Sequence, residues 1–258
     1  DMNKLMRIVQ EKNLVLIEDC AHTMGAKWGQ KESGNFGLAA CFSTQTYKHL
    51  NSGEGGLITS DNAEFMARSI ILSGSYMFYE RHGAAPEAEV FSGIRLDTPN
   101  YSGRMDNLRA AILRPQLNSL EANIKRWNKR YQIVEQKLQK VKGVVLPERP
   151  DKEQYVGSSI QFRIPRISHI KATKFIEANK QLGVEIKWFG SDEPTGFTSN
   201  HKSWHYVRRQ KLGNSDKILS GLFDLRLPLT FSLDDCSLLS DIICECVQEH
   251  IPDTSKVN

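Results

Sequence analysis

The acid Asp19 stands where α/β proteins bind their ligands. It follows an apolar run at residues 14–17 that has the length and composition of a buried parallel strand. Ligands of open α/β sheets bind at the carboxyl ends of such strands. An acid there can bind a metal ion, a ribose or a protonated ring nitrogen, or it can be a helix cap or a surface acid. A metal is weakly supported, because the neighbouring carboxylate, Glu18, points to the opposite face of a strand.

The amine of Lys48 is the second group suited to chemistry. It lies between an apolar strand at residues 38–43 and a glycine turn at residues 53–56, among small hydroxyl side chains. A lone lysine is most often a solvated surface charge, but this setting suits an amine held over a cleft. Such an amine attacks carbonyl groups to form a Schiff base. Ser43 can donate to a phosphate together with backbone N–H groups, or it can bond to its own backbone at the strand end.

The pattern of helices and strands around these residues is that of an α/β domain whose first strands are missing from the sequence. A helix at residues 2–12 precedes the strand at 14–17 with no strand before it, so we expect the sequence to begin inside such a domain. Strands are predicted at 38–43 and 57–59 and a helix at 61–72 with Asp61 as its N-cap. Residues 73–103 are predicted to be irregular, and loops of that length are usually functional.

The second half of the chain has a different character. A long amphipathic helix is predicted over residues 105–141, interrupted near Pro115 and bridging two domains. The segments after it predict a smaller α+β domain. They comprise strands at 158–164 and 184–188 and helices at 171–182, 216–222 and 233–248, the last two flanking the segment 225–229.

Composition excludes several classes of protein. The 258 residues are 40% hydrophobic and 25% charged, enough chain for one large domain or two modest ones, and no long charge-free apolar run spans a membrane. A net charge of +4 is too weak to argue for a nucleic-acid partner. Five irregularly spaced cysteines favour free thiols and a reducing, cytoplasmic location. Cys244-Glu245-Cys246 lacks zinc-knuckle spacing, so no metal is expected there.

Several motifs occur together along the first half of the chain. They are Ile17-Glu18-Asp19-Cys20-Ala21-His22 with Gly25-Ala26, Phe42-Ser43 with Lys48, Gly53-Glu54-Gly55-Gly56, Arg104-Met105 with Ala110-Ala111, and Gln116-Leu117. This combination closely resembles the DegT/DnrJ/EryC1/StrS family of pyridoxal-phosphate-dependent nucleotide-sugar aminotransferases, which have the aspartate aminotransferase fold. The resemblance runs from Asp1 to about Val145 and more loosely to the end.

The resemblance implies an α/β protein with the pyridoxal-phosphate-dependent transferase fold type I. Residues 1–115 would form the C-terminal part of the large cofactor-binding domain, with a mostly parallel sheet. Residues 116–258 would form the small α+β domain, entered by the long helix. Family members have a substantial segment before the part that matches Asp1, including a helix start that cups the phosphate. We therefore expect the large domain of this sequence to be incomplete.

The resemblance also implies roles for four residues near the first two strands. Lys48 would form a Schiff base with pyridoxal phosphate and then move the proton between the substrate Cα and the cofactor C4′. Asp19 would pair with the pyridinium nitrogen and keep it protonated. His22 matches a position where the family commonly has Gln or His against the cofactor ring, although a core histidine is the alternative. Ser43 would bind the cofactor phosphate.

Two further site residues follow from the resemblance less directly. Ser102 stands where the family usually has an Asn that reaches the partner subunit's cofactor phosphate, and a serine can still donate one hydrogen bond. His201, close to His205, Trp204 and Tyr206, lies where relatives place small-domain residues near the sugar. A surface aromatic cluster is the alternative for this group.

The resemblance implies amino transfer from an amino acid, glutamate being the expected donor, to a nucleotide-linked keto-sugar. Some relatives are dehydratases with His in place of the Schiff-base lysine, so Lys48 favours transamination. A homodimer with shared active sites is expected. Two alternatives stay open: a truncated or degenerate chain that binds ligand or dimerises without catalysis, and a different α/β enzyme that uses Asp19 for a metal.

Overall fold

A computed structural model describes residues 1–74, 79–195, 198 and 200–251. The chain divides into two compact units, the first made of Asp1–Ala122 and Asp151–Val156, the second of Asn123–Pro150 and Gly157–Asn258. The domain boundary after residue 115 stays a prediction. Within the described residues, no helix combines the length and the apolar composition that crossing a membrane requires.

The first unit is built on two small sheets. Its elements are α1 (Met2–Glu11), β1 (Ile17–Asp19), β2 (Lys27–Trp28), β3 (Lys31–Glu32), β4 (Ala39–Ser43), β5 (Gly56–Thr59), α2 (Ala63–Ser73), α3 (Ala88–Ser92), α4 (Asn107–Asn118) and, after the second unit's first segment, β6 (Glu153–Gln154). One sheet has the order β1-β4-β5, with β1 and β4 parallel and β4 and β5 antiparallel. The sheet predicted to be mostly parallel thus has one pairing of each kind. The other sheet, β3-β2-β6, is antiparallel.

The first strand begins later than predicted. The run at residues 14–17 was predicted to be a buried strand, but β1 starts at its last residue and Val15 is 71% exposed. The backbone that leads into β1 lies close to the backbone that leads into β4, since Leu38 N donates to Leu16 O at 2.8 Å. A Cβ atom on Gly37 would lie 2.4 Å from Leu16 O, so this approach requires glycine.

Helix α2 differs from its prediction at its start, and it packs against the segment that follows it. The N-cap is Asn62 and not Asp61, because the Asn62 Oδ1 accepts from Phe65 N at 2.8 Å. The following segment, predicted to be irregular, contains a 3₁₀ turn at Tyr79–Arg81 and helix α3. Tyr79 and Phe91 stack at 4.1 Å and belong to one buried cluster with α2. Apolar packing therefore organises the described part of this segment.

The second unit holds the rest of the chain. Helix α5 (Leu120–Leu138) begins in the first unit and continues in the second, followed by β7 (Ser159–Arg163), α6 (His169–Gln181), β8 (Lys187–Trp188), α7 (Gly213–Leu219), β9 (Leu222–Arg226) and α8 (Leu233–His250). The predicted interruption of the long helix is confirmed, but it falls at Ser119, because α4 continues through Pro115. Trp127, Tyr131, Val134 and Leu138 form the buried side of α5.

Strand β9 was not predicted. The residues up to 222 were interpreted as a helix, but α7 ends at Leu219 and the chain becomes extended after Gly221. β9 is the central strand of an antiparallel sheet of order β7-β9-β8. A Cβ atom on Gly221 would lie 2.4 Å from Ile164 O, so glycine lets the two backbones meet where the helix changes to a strand.

The five cysteines are free thiols, as the sequence predicted, and they differ in accessibility. Burial raises the pKa of the Cys236 and Cys246 thiols, whereas Cys41 is exposed. Since the thiolate is the reactive form, we expect iodoacetamide at neutral pH to alkylate Cys41 well before Cys236 and Cys246. Peptide mass spectrometry over time measures the order, and unfolding in guanidinium is expected to equalise the rates. Equal rates in the native protein would contradict the described burial.

Candidate functional site

The carboxyl end of β1 carries Asp19 beside the neighbouring strand β4. Asp19 pairs in parallel register with Cys41, so these two side chains and that of Ser43, two residues further along β4, share one face of the sheet. The Asp19 carboxylate is exposed, and its Oδ1 accepts from Ala21 N at 3.0 Å. Among the described residues, none bonds to its other oxygen, Oδ2. The structure thus offers a carboxylate oxygen at the sheet end where ligands of this fold class bind.

Lys48 and His22 are in direct contact. The Lys48 Nζ lies 2.7 Å from the His22 Nε2, a hydrogen bond between residues that are 26 positions apart in the chain. His22 is exposed and Lys48 is half-buried, so the core-histidine alternative for His22 is wrong. With the ring proton on Nδ1, the Nε2 accepts from the amine. The pair joins a nucleophile to a group that can take its proton.

The loop that carries Lys48 is held across its width by backbone hydrogen bonds. Thr44 N donates to Gly55 O and Thr46 N donates to Gly53 O, each at 2.9 Å. Gly55 has a φ of +129°, and a Cβ atom there would lie 2.8 Å from the Thr44 Oγ1. The two sides of the loop can come this close only with glycine at position 55. The two backbone hydrogen bonds between them fix the backbone from which Lys48 extends.

Gln116 of α4 fastens the same loop to a helix. Its Oε1 accepts from Asn51 N at 3.0 Å, and its Nε2 donates to Asn51 O at 2.7 Å. Both backbone groups of one loop residue are thereby satisfied by a single amide side chain. This role of Gln116 depends on a contact between segments 65 positions apart in the chain, so it could not be predicted from the motif to which Gln116 belongs.

Glu18 is a positioning residue that the sequence analysis missed. Its half-buried carboxylate accepts from Gly34 N at 2.9 Å, Phe36 N at 2.6 Å and Gly37 N at 2.7 Å. Glu18 therefore closes the loop before β4 while Asp19, next in sequence, remains open. Among the described residues, no group of three or more His, Cys, Asp and Glu side chains could hold a metal ion. The available signal was an acid inside a short strand followed by a glycine-rich segment.

The Ser43 hydroxyl has a local partner at the end of β4. Its Oγ accepts from Gln45 N at 3.3 Å, which is the backbone bond that the sequence analysis gave as the alternative. The hydroxyl proton remains able to donate. Phosphate binding by Ser43 stays a prediction.

Ser102 lies elsewhere in the first unit, in a turn fixed by Asn100. The Asn100 Oδ1 accepts from Ser102 N at 2.8 Å and lies 3.3 Å from the Ser102 Oγ. Ser102 is exposed with a φ of +53°, and the neighbouring Arg104 donates to Gly74 O at 2.6 Å. A role for Ser102 at a cofactor phosphate stays a prediction.

His201 lies in the second unit, where it has an acidic partner. Its Nε2 is 2.8 Å from the Asp216 Oδ1, and this bond, together with the charge of Lys202, holds the pKa of Asp216 below its usual value. Trp204 and Tyr206 stack at 6.4 Å, and Tyr206 is 84% exposed. This arrangement fits the surface aromatic cluster that the sequence analysis gave as the alternative. A sugar contact by His201 stays a prediction.

Most of the chain matches the model of one known protein family. The model of the DegT/DnrJ/EryC1/StrS aminotransferase family matches residues 1–243, most of the chain. The chain belongs to this family. The resemblance inferred from the motifs around Asp19 and Lys48 is thereby confirmed. Aminotransferases of this family are of the pyridoxal-phosphate-dependent type.

Two of the curated relatives are an uncharacterized protein and a protein named as a sugar-nucleotide synthase. The chain is 27% identical over 192 residues to the uncharacterized protein MJ1066 of Methanocaldococcus jannaschii, covering 71% of this chain and 48% of that one. It is 31% identical over 124 residues to the GDP-perosamine synthase of Caulobacter vibrioides, covering 48% of this chain and 30% of that one. The chain thus spans about half or less of the length of these curated relatives.

A solved structure agrees on the fold. The sugar aminotransferase Spr1654 of Streptococcus pneumoniae, described as putative and in its PMP form, superimposes with a TM-score of 0.74 at 15% identity, covering 97% of this chain and 67% of that one. At this identity the match establishes the fold alone. The prediction of an α/β protein of fold type I is confirmed.

Proposed function

We propose that the chain carries out pyridoxal-phosphate-dependent transfer of an amino group from an amino acid, glutamate, to a nucleotide-linked keto-sugar. The observation that carries this proposal is the 2.7 Å contact between the Lys48 Nζ and the His22 Nε2, in the unit that also holds the open carboxylate of Asp19. Family membership supports amino transfer. The name of one relative, a GDP-perosamine synthase, supports a nucleotide-linked sugar.

The residues of the first unit fit pyridoxal phosphate by their chemistry. This cofactor needs an amine for its aldehyde, a carboxylate for its ring nitrogen and donors for its phosphate. Lys48, Asp19 and Ser43 are groups of these three types, and the Asp19 Oδ2 has no bond to a described residue. We propose Lys48 as the residue that binds the cofactor covalently. When bound, the cofactor supplies an electron sink for the carbon that loses its proton.

The side chains of this chain handle the protons. Lys48 becomes a nucleophile only as the neutral amine, and the His22 Nε2 at 2.7 Å is placed to accept the proton that the ammonium loses. Lys48 would then serve as the general acid/base that takes the proton from the donor Cα and delivers it to the cofactor carbon C4′, and it would move a proton in the opposite direction once the acceptor is bound. The negative charge of Asp19 favours a protonated group opposite its Oδ2. The Gln116–Asn51 bonds hold the loop so that the amine keeps its direction.

The decisive experiment follows the nitrogen atom. The 258-residue chain, pyridoxal phosphate, ¹⁵N-glutamate and a GDP-linked keto-sugar are incubated together, and mass spectrometry of the sugar measures the ¹⁵N content. We expect incorporation that depends on both glutamate and cofactor. Glutamine as the donor distinguishes the amino acid, and a UDP-linked keto-sugar distinguishes the nucleotide.

The second candidate function is binding without catalysis. Cofactor binding without ¹⁵N transfer to any keto-sugar offered would support this candidate and contradict the proposal. A reaction that a chelator abolishes and pyridoxal phosphate does not restore would instead support the hypothesis that Asp19 binds a metal ion. The homodimer with shared active sites stays a prediction from the family resemblance.

A further inference from the structure

The second unit contains a cavity lined by positive charge. It has a volume of about 420 Å³ and lies between the turn after β7, the end of α7 and the residue before β9. Its lining residues include the cationic Arg163, Arg166 and Lys217, and none of the lining residues carries a carboxylate. A cavity of this size is within the usual range for small-molecule sites. Its charge favours an anionic ligand.

These three cations have no acidic partner in the part of the chain that the structure describes. No described side chain or carbonyl group forms a hydrogen bond or an ion pair with the Arg163, Arg166 or Lys217 side chains there. Arginine and lysine on a protein surface are commonly paired or spread apart. Three of them along the lining of one cavity raise its positive potential, which an anion bound there would offset.

The cations are also not needed to cap helix α7. The Asp216 O accepts from Ser220 N at 3.0 Å, and the Lys217 O accepts from the Ser220 Oγ at 3.1 Å. The Ser220 O accepts from the Trp188 Nε1 at 2.9 Å. The carbonyl groups at this helix end are thus satisfied by other donors, which leaves the positive charges available to a ligand.

Arg166 is held in a backbone conformation that its residue type disfavours. Its φ is +62°, at the third position of a turn in which Ile167 N donates to Ile164 O at 3.4 Å and Pro165 occupies the second position. Glycine or asparagine is the usual choice at such a position. A charged side chain placed there at a conformational cost indicates a use for the guanidinium group.

We propose that this cavity binds the diphosphate group of a small molecule. Two guanidinium groups can each donate two parallel hydrogen bonds to phosphoryl oxygens, and a lysine adds a point charge, which together match the two to three negative charges of a diphosphate. The source of the diphosphate is a nucleoside diphosphate compound or inorganic pyrophosphate. The proposal concerns binding in the second unit and holds whether or not the chain transfers amino groups.

Isothermal titration calorimetry of the full chain without pyridoxal phosphate tests the site, with UDP and inorganic pyrophosphate as probes. We expect Arg163→Gln and Lys217→Gln each to weaken binding about tenfold or more, because each removes a charge-assisted hydrogen bond. Lys180→Gln is the control, since it removes an exposed positive charge of the same unit outside the cavity and is expected to leave the affinity within about twofold. Tighter binding of UDP identifies a nucleotide as the ligand, and equal binding identifies a site for the diphosphate alone.

Arg166→Gly separates binding from folding. The variant loses the guanidinium group and gains the residue that the positive φ favours, so we expect about a tenfold loss of affinity with no fall in melting temperature. Affinity that is equal in the unmodified chain and in the Arg163→Gln/Lys217→Gln double variant would overturn the proposal. So would the absence of binding to both probes at low ionic strength.

Discussion

Replacing Lys48 with alanine is expected to abolish covalent attachment of pyridoxal phosphate and to lower the rate of amino transfer about a thousandfold or more. The substitution removes both the nucleophile and the base, and a positioned base alone contributes about a hundredfold to ten-thousandfold. Borohydride reduction followed by peptide mass spectrometry locates the modified lysine, and ¹⁵N transfer measures the rate. We expect the unmodified chain to carry the label at Lys48.

Two further variants make this result specific. Lys12→Ala removes an exposed lysine of the same unit and is expected to leave both attachment and rate unchanged. His22→Ala keeps the amine but removes its 2.7 Å partner, so we expect attachment at Lys48 to persist while the rate falls about tenfold to a hundredfold. A label on another lysine, or a Lys48→Ala chain that retains its rate, would remove Lys48 from the proposed mechanism.

The residue types of the site could be predicted from the sequence, whereas their contacts could not. Asp19 and Lys48 are each identified by a local signal, namely a strand end and a loop between a strand and a glycine turn. The His22–Lys48 contact joins positions 26 apart, and local patterns carry no information about such a pair. Likewise, the two-residue period of a strand predicts that Glu18 faces away from Asp19. It does not predict that three backbone N–H groups donate hydrogen bonds to the Glu18 carboxylate.

The errors in the predicted fold also arise from contacts between segments that are distant in the chain. An apolar run at residues 14–17 predicted a buried strand, yet the strand paired with β4 begins only at Ile17, and Val15 is 71% exposed. β9 was missed because Asp224 interrupts an apolar pattern. In the structure, this acid is 7% exposed and accepts from the Gln161 Nε2 at 2.5 Å in the paired strand β7. A buried polar residue of this kind is explained only by its partner across the sheet.

Glu18→Ala is expected to be the most destabilising single change near the site. It leaves the N–H groups of Gly34, Phe36 and Gly37 without their acceptor. Hydrogen bonds to a charged group contribute about 1.5–3 kcal/mol each, and three bonds to one half-buried carboxylate are not additive. We therefore expect the free energy of unfolding to fall by about 2–4 kcal/mol, which lowers the melting temperature by roughly 5–15 °C. Thermal unfolding followed by circular dichroism measures the change.

Matched variants separate the charge of Glu18 from its shape. Glu18→Gln keeps the length of the side chain and one acceptor oxygen, so its loss of stability is expected to lie between those of Glu18→Ala and the unmodified chain. Glu11→Ala removes an exposed acid of the same unit and is expected to change stability by less than about 0.5 kcal/mol. Equal stability of the Glu18→Ala and Glu11→Ala chains would show that the loop before β4 does not depend on Glu18. If the expected order holds, Asp19 owes its position to the acid beside it, since the residue that closes the loop also fixes the end of the strand from which Asp19 extends.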